Sequence, residues 1–233
     1  MDRFARTELL IGRSNLEKLN KSKIAVFGIG GVGSYVVESL TRAGIGEFII
    51  IDKDDIDITN INRQIHAMSS TVGKCKVKVM KSRMLDINPT VKVDAIKENF
   101  PNEKIDFCNL GVDYIVDAID SIDSKIELIL EAKKFNIPII SSMGMGNKID
   151  PTKIEVSDIY KTSMCPLAKI VRKELRKQNI KKLKVVYSKE EPIKINLEDG
   201  KSKTLGSISF VPSVAGLIMA SEVVKDILYK KVI

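Results

Sequence analysis

The sequence has no tryptophan, a single histidine and only three cysteines among its 233 residues. The cysteines, Cys75, Cys108 and Cys165, lie far apart and form no CxxC pair, which disfavours a Cys/His zinc site. So sparse and odd a number of cysteines fits a reducing compartment better than a disulfide-stabilised protein. Aromatic residues make up only 5% of the chain, which argues against a general platform for stacking the bases of single-stranded nucleic acid.

Long hydrophobic runs are also absent. The longest apolar stretch, residues 210–220, is too short to span a bilayer and contains Pro212. Residues 1–6 are charged and lack the apolar run of a signal peptide. We therefore expect a cytoplasmic protein that does not associate with membranes. With 44% hydrophobic and 29% charged residues, the composition is that of a globular protein and excludes a disordered chain.

The net charge of +8 comes from one short stretch. Residues 169–189 contain nine basic residues and a single acid, Glu174, so the rest of the chain is formally neutral. A neutral body with one basic patch indicates a site for a polyanion, although charge runs are more often solvated helix faces. At helical spacing, one broad face of this stretch carries Lys169, Arg172, Lys173, Arg176 and Lys177.

Strand and helix patterns alternate along the chain, which predicts βαβ units. This is typical of an α/β, Rossmann-like fold with a mostly parallel sheet and helices on both faces. Up to residue 150 the pattern predicts strands at 23–27, 47–51, 91–96, 114–118 and 137–141, and helices at 34–43, 74–87 and 124–135. Beyond it, the weaker pattern predicts strands at 154–159 and 184–188, helices at 166–178 and 214–229, and a polar segment at 189–206.

A glycine-rich loop joins the first predicted strand to the first predicted helix. Its glycines, Gly28, Gly30, Gly31 and Gly33, permit a tight turn and let backbone amides approach phosphates, and the following helix dipole favours anions. Asp52 ends the next predicted strand, where a carboxylate can hydrogen-bond ribose hydroxyls. The sequence therefore predicts a nucleotide site.

The residues after this carboxylate favour a triphosphate over a dinucleotide. NAD and FAD sites bind pyrophosphate mainly through backbone amides, whereas attack on an α-phosphorus develops charge that Arg and Lys can stabilise. No GxxxxGKS/T motif is present, so ATP would have to bind in another way. Taken alone, the basic residues fit solvated surface charge equally well. The polar and basic candidates in this loop are Asp54, Asn60, Asn62, Arg63, Gln64, Lys74 and Lys76.

Four segments, GIGGVGS, IDKDDIDITNINRQ, TVGKCKVKVM and VDAIDSIDSK, resemble the E1-like activating enzymes, the superfamily of ThiF, MoeB and HesA. The opening RFAR, residues 3–6, is similar to an N-terminal element of that superfamily. Segments that begin SSMGMGNKID and ISFVPSVAG resemble the branch of tRNA threonylcarbamoyladenosine dehydratases. The resemblance implies a single ThiF-type domain, 1–233, with an ATP-binding core at 23–150, a basic substrate-binding elaboration at 151–206 and a C-terminal strand and helix at 207–233.

The resemblance also assigns roles to individual residues. Asn60 and Arg63 match residues that contact the triphosphate, and Lys76 matches a lysine near the α-phosphate. Asp120 matches the acid that positions Mg²⁺ and the reacting carboxylate. Arg6 matches an arginine that reaches the triphosphate from the partner subunit of a dimer. The implied catalytic set is Arg63, Lys76 and Asp120, and the implied nucleotide-binding set is Arg6, Gly28, Gly30, Gly31, Gly33, Asp52, Asp54, Asn60, Arg63, Gln64 and Lys76.

Some of these residues also fit plainer roles. Asp120, like Asp117 and Asp123, lies between a strand and a helix, where an acid often only caps the helix. The single histidine, His66, fits a loop residue better than a catalyst. Cys165 could be a nucleophile, but an ordinary or helix-proximal cysteine is the better interpretation.

The implied reaction is the activation of a carboxylate, which attacks the α-phosphorus of ATP and forms an acyl-adenylate and pyrophosphate. In the dehydratase branch the carboxylate belongs to N6-threonylcarbamoyladenosine in tRNA, and an internal nitrogen or oxygen closes a ring with net loss of water. The basic residues at 169–177 would contact the tRNA backbone. The resemblance further implies a homodimer and a cysteine desulfurase system as a partner.

Three alternatives stay open from sequence. One is an E1-like adenylyltransferase for the C-terminus of a sulfur-carrier or ubiquitin-like protein, which the lack of CxxC pairs disfavours. Another is an NAD-binding oxidoreductase, against which Asn60, Arg63 and Lys76 argue. The third is a non-catalytic scaffold that retains nucleotide.

Overall fold

The computed structural model describes residues 3–102, 105–194 and 205–229. These residues form one sheet of seven strands with seven α-helices. The strands are β1 Lys23–Phe27, β2 Glu47–Ile51, β3 Lys92–Ile96, β4 Tyr114–Asp117, β5 Ile139–Ser142, β6 Ile154–Asp158 and β7 Lys184–Ser188. The helices are α1 Ala5–Ile11, α2 Arg13–Lys21, α3 Gly33–Ala43, α4 Lys76–Ile87, α5 Ile122–Lys134, α6 Pro166–Lys177 and α7 Phe210–Tyr229.

The strand order is β3-β2-β1-β4-β5-β7-β6, and every neighbouring pair is parallel except β6 and β7. The predicted α/β class with a mostly parallel sheet is therefore confirmed. From β1 the chain runs outward to β2 and β3, and then returns to β4 on the other side of β1. The carboxyl ends of β1 and β4 thus flank the point where the order reverses, and ligands bind at this point in open α/β sheets.

Two hydrophobic cores cover the two faces of the sheet. Side chains alternate along β1, so Ile24 and Val26 join one core while Ala25 and Phe27 join the other. The first core also holds residues of α3, α4 and α7, and the second holds residues of α5 and α6. This burial from both sides explains why the strands read as continuous apolar runs in the sequence.

Two short N-terminal helices were not predicted. Gly12, with φ +83°, separates α1 from α2, and only Leu16 and Leu19 of α2 are buried. The two helices are only seven and nine residues long, and no residue of α1 is buried. A pair of helices therefore precedes the first βαβ unit.

The C-terminal part differs from the prediction in two respects. Among residues 205–229 there is no strand: residues 205–209 are irregular, and α7 begins at Phe210, four residues earlier than expected. Pro212 lies in the first turn of α7, where the lack of an N–H is tolerated. The backbone at residues 206–207 instead bonds to two distant loops, through Asn147 and Asn62. The polar segment predicted at 189–206 falls partly outside the described residues, at 195–204.

No helix in the described ranges combines the length and the apolar character needed to cross a bilayer.

Candidate active site

Two of the predicted loop glycines are required by packing. Gly28 has φ +86°, and a Cβ atom there would lie 2.6 Å from the carbonyl oxygen of Ala118, just after β4. A Cβ atom at Gly33 would overlap the carbonyl oxygen of Gly28. These glycines let the loop fold tightly between the carboxyl ends of β1 and β4.

Packing restricts the other two loop glycines, Gly30 and Gly31, less tightly. A Cβ atom at Gly30 would meet only the side-chain nitrogen of Gln64, 3.9 Å away. At Gly31 it would lie 3.2 Å from Pro212 and 3.3 Å from Arg63. The backbone at Gly30 is therefore open, as an approaching phosphate would require.

The side chains of Asp52 and Lys76 lie close together beside this loop. The carboxylate of Asp52 accepts hydrogen bonds from the backbone N–H of Ile29 at 2.7 Å and of Asp54 at 2.9 Å. Lys76 Nζ lies 3.8 Å from Asp52 and donates to Asp54 at 2.8 Å. Although charged, Lys76 is only 5% exposed, so its position at the end of the loop is fixed by two carboxylates.

The segment between these residues places Arg63 beside the glycines and holds Asn60 by a local hydrogen bond. Asn60 is buried, and its side-chain oxygen accepts from the backbone N–H of Asp57 in a capping box of a short 3-10 helix, Ile58–Asn60. Arg63 donates to the carbonyl oxygen of Thr59 and to Asn62, both at 2.9 Å. Its aliphatic part packs on Gly31, which keeps the guanidinium at the edge of the loop.

Among the described residues, three buried side-chain atoms have no hydrogen-bond partner: the oxygen of Gln64, whose amide lies beside Gly30, and both ring nitrogens of His66. Burial, together with smaller contributions from the nearby charges of Lys76 and Arg83, lowers the pKa of His66 to about 4. The imidazole is therefore neutral at physiological pH. His66 lies in a loop, as expected, but its complete burial was not foreseen.

Asp120 is exposed in the loop after β4. Ser121 is the residue at the start of α5 and makes no side-chain cap bond. Within the described residues, no cluster of three or more His, Cys, Asp or Glu side chains could hold a metal ion by itself. A cation at Asp120 would thus need most of its ligands from a bound nucleotide.

A buried ion pair formed by residues on either side of Asp120 in the chain was not predicted from the sequence. Asp117 and Lys125 are both fully buried, with Lys125 Nζ 2.7 Å from the carboxylate. Ser141 on β5 also donates to Asp117, and Asp117 accepts from the backbone N–H of Ile119 at 3.1 Å. Asp117 is therefore no helix cap. The spacing of eight residues, from a strand end to the second turn of a helix, is the signal that could have pointed to this pair.

Arg6 lies on α1, which packs on α2. Its side chain is exposed, and no ion pair or hydrogen bond in the described part of the chain joins it to the glycine loop. Leu9 and Leu10 on the same helix are 87% and 86% exposed. In the described part of the chain, Arg6 is thus not part of the site that Asp52 and Lys76 define.

The basic face predicted on α6 is narrower than the sequence suggested. Arg172 turns toward the protein and donates to the backbone oxygen and hydroxyl of Thr162, at 2.9 and 2.6 Å. Lys177 pairs with Glu174 at 2.8 Å. Lys169 and Lys173 are exposed on the helix, as its spacing predicted.

Cys165 is buried at the start of α6 and makes no side-chain cap bond. The buried amine of Lys148 lies nearby and donates to the carbonyl oxygens of Gly144 and Ser188 at 3.2 and 3.3 Å. Burial lowers the pKa of Lys148, and the opposite contributions of Cys165 and Glu190 are smaller. A cysteine buried in this way is poorly placed to attack a macromolecular substrate.

Comparison with known proteins identifies the family. Residues 4–232 match the ThiF family. The tRNA threonylcarbamoyladenosine dehydratase of Bacillus subtilis is 48% identical in an alignment of 244 positions, gaps included, that covers 98% of this chain and 95% of that protein. Solved structures of the Escherichia coli dehydratase TcdA in complex with AMP and with ATP match with TM-scores of 0.88 and 0.87 at 34% identity, over 97% of this chain and 93% of theirs. The resemblance to E1-like enzymes, and within them to the tRNA dehydratases, is thus confirmed, and the chain belongs to the ThiF family.

Proposed function

We propose that this protein is an ATP-dependent enzyme that converts N6-threonylcarbamoyladenosine in tRNA to its cyclic form by adenylating the carboxyl group. The observation that carries the proposal is the similarity along almost the whole chain to the dehydratase of Bacillus subtilis. The site described above has the groups that this chemistry needs.

The residues around the glycine loop fit ATP. The backbone at Gly30 is open, and no described residue donates to the buried side-chain oxygen of Gln64 beside it. Buried polar groups of this kind are normally satisfied by a ligand or by ordered water. Asp52 lies where a carboxylate can accept from ribose hydroxyls, and Asp54 stands beside it.

Adenylation requires two anions to approach each other. A carboxylate oxygen of the substrate attacks the α-phosphorus, and the bond to pyrophosphate breaks. Arg63 and Lys76 supply positive charge at the edge of the loop, where negative charge develops on the transferred group. Asn60 supports the triphosphate from the same segment.

Ring closure completes the reaction without a protein nucleophile. An internal nitrogen or oxygen of the modified base attacks the acyl carbon, and AMP leaves with one of the former carboxylate oxygens. The net change in the nucleoside is the loss of one water, while ATP becomes AMP and pyrophosphate. The buried position of Cys165 agrees with this route.

Asp120 is the residue we propose to hold Mg²⁺ with the nucleotide. When bound, the ion would neutralise phosphate charge and help to orient the reacting carboxylate. A single exposed carboxylate suits Mg²⁺, which commonly keeps waters and binds through one or two carboxylates and the phosphates of the substrate.

The same proposal includes the tRNA contacts and the assembly. Lys169, Lys173 and Arg176 on α6 would bind the RNA backbone. In a homodimer, burial of Leu9 and Leu10 would cover the most exposed large apolar side chains described, and would let Arg6 reach the partner's nucleotide. A cytoplasmic location and contact with a cysteine desulfurase system complete the proposal. In this scheme residues 23–150 bind ATP, 151–206 bind the substrate and 207–233 close the domain.

Nucleoside mass analysis tests the function. The protein is incubated with ATP, Mg²⁺ and tRNA that carries threonylcarbamoyladenosine, and the digested nucleosides are weighed. We expect a product lighter by one water that depends on ATP. If that nucleoside is unchanged while a diglycine-tailed carrier protein stimulates pyrophosphate exchange, the enzyme acts on a protein carboxylate instead.

A further inference from the structure

The positive charge of residues 169–189 divides into paired and unpaired groups. Lys184 on β7 bonds to Glu222 and Asp226 of α7, at 2.9 and 2.8 Å. Lys189 pairs with Glu155 on β6 at 2.5 Å. These two lysines, together with Arg172 and Lys177 described above, have partners within the protein, although Lys177 and Lys189 are exposed. In the part of the chain that the structure describes, no carboxylate lies within ion-pair distance of Lys169, Lys173, Arg176, Lys181 or Lys182.

Tyr160 brings part of this unpaired charge to one place. The guanidinium of Arg176 lies over its ring, 5.4 Å from the centroid. The hydroxyl of Tyr160 donates to the carbonyl oxygen of Ile180, directly before Lys181. The next residue after the tyrosine, Lys161, is also exposed. The end of α6, the turn that follows it and the 3-10 helix Ile159–Lys161 are thereby held together.

The charge extends onto α5. The pKa of Lys133 is lowered, chiefly by burial and also by the positive charge of Lys182. The acid that opposes this effect is Asp158, whose carboxylate already accepts from the backbone N–H groups of Tyr160 and Leu183, at 2.9 and 3.1 Å. The charges of Lys133 and Lys182 thus repel each other, and α5, which carries Lys133, packs on α6.

We infer that Lys133, Lys161, Lys181 and Lys182 form a second phosphate-binding surface, which we name the turn patch, and that it contacts the RNA backbone beyond Arg176 and the α6 face. This inference rests on the proposed function, since tRNA is the polyanion in question. Cations that repel each other in the free protein gain most from a bound polyanion, because its phosphates supply the missing negative charge. Each contact releases counterions and steepens the salt dependence of binding.

A matched pair of variants tests the turn patch. The first is Lys161→Gln/Lys181→Gln/Lys182→Gln. The control, Lys153→Gln/Lys177→Gln/Lys189→Gln, removes the same charge from lysines that are already paired with Asp150, Glu174 and Glu155. Affinity for modified tRNA is measured at several salt concentrations, and thermal unfolding confirms that both variants fold.

We expect the patch variant to bind tRNA at least about tenfold more weakly at physiological salt, with a log–log salt slope that is shallower by about 3. The control should keep a slope close to that of the parent protein. A second variant, Lys133→Gln, should lower the slope by about 1. Equal losses in the patch and control variants, or no loss in either, would overturn the inference.

The activity of the unmodified protein separates this inference from the proposed function. If the parent protein makes the dehydrated nucleoside and the patch variant binds tRNA normally, only the turn patch is wrong. If the parent protein neither binds tRNA nor changes its nucleosides, the proposed function fails and the patch loses its ligand.

Discussion

The ammonium group of Lys125 lies 2.7 Å from the carboxylate of Asp117, and both side chains are fully buried at the carboxyl end of β4. Three residues further along, Asp120 is exposed in the loop that also touches the glycine loop through Ala118. The buried pair therefore anchors the segment on which the proposed magnesium ligand stands. Ser141 on the neighbouring strand bonds to both members of the pair, so these three side chains link β4, β5 and α5.

Removal of one member of this pair should destabilise the protein strongly. In Lys125→Met, the carboxylate of Asp117 stays buried without its counter-ion, and we expect a loss of about 3–5 kcal/mol in the free energy of unfolding. Chemical denaturation measures it. Lys134→Ala, which breaks an exposed pair with Glu131 on the same helix, should change stability by about 0.5 kcal/mol or less. Comparable effects of the two substitutions would refute the anchoring role.

The loop glycines should respond differently to alanine. Gly30→Ala places its new methyl group in open space, so we expect near-parental thermal stability but at least about a tenfold loss of ATP affinity, because the methyl group keeps phosphates from the backbone. Gly28→Ala forces its methyl group against the carbonyl of Ala118 at a positive φ and should unfold at a much lower temperature. Calorimetry measures both properties. Unchanged ATP affinity in Gly30→Ala would mean that the phosphates bind elsewhere.

Acid should weaken the fold through His66. Its folded pKa, about 4, lies below the ordinary value of 6.5, so the unfolded chain binds more protons between these values and stability falls as pH drops. The loss from this one group is about 2 kcal/mol between pH 7 and pH 5. His66→Phe removes the titration, and the difference between the two proteins in denaturation at each pH isolates it. Parallel pH profiles for the parent and His66→Phe would show that the imidazole titrates normally.

Lys76 should matter for the chemical step. We expect Lys76→Ala to slow adenylation by about 10²–10³-fold at saturating tRNA and ATP, because a preorganised positive charge at the transferred phosphate is lost. The measurement is AMP release in a single turnover. Lys74→Ala, two residues away and exposed, should retain parental rates. Lys76→Arg, which keeps the charge beside Asp52 and Asp54, checks that the effect does not arise from unfolding, and a loss of less than about threefold in Lys76→Ala would contradict the role.

Much of the fold was predictable because its elements are local patterns. The glycine loop and the apolar strands β1 and β2 follow from the order of residues along a few turns of chain, and the predicted bounds of β1, β2 and β7 match the structure. The antiparallel pairing of β6 with β7 was not predicted, since short strands of similar composition carry no signal of direction. The helix pair α1 and α2 was missed because few of its residues are buried.

The site was predictable where function imposes a motif, and less so where it depends on partners far away in sequence. Asp52 and Lys76 were identified from the sequence, but the ion pair of Lys76 with Asp54 was not. The pair of Lys125 with Asp117 looks like two surface charges when read along the chain. The basic stretch could be located in the sequence, but which of its cations are paired could not. Lys184, for example, bonds to Asp226, which lies 42 residues away.

The path of one oxygen atom tests carboxyl adenylation most directly. Both oxygens of the threonyl carboxylate of the modified tRNA are labelled with ¹⁸O. A single turnover is then run with ATP and Mg²⁺, and the AMP is analysed by mass spectrometry. If the carboxylate attacks the α-phosphorus and AMP leaves on ring closure, the AMP carries one ¹⁸O and the cyclic nucleoside keeps the other. Unlabelled AMP, with the ¹⁸O found in water or in inorganic phosphate, would contradict the mechanism.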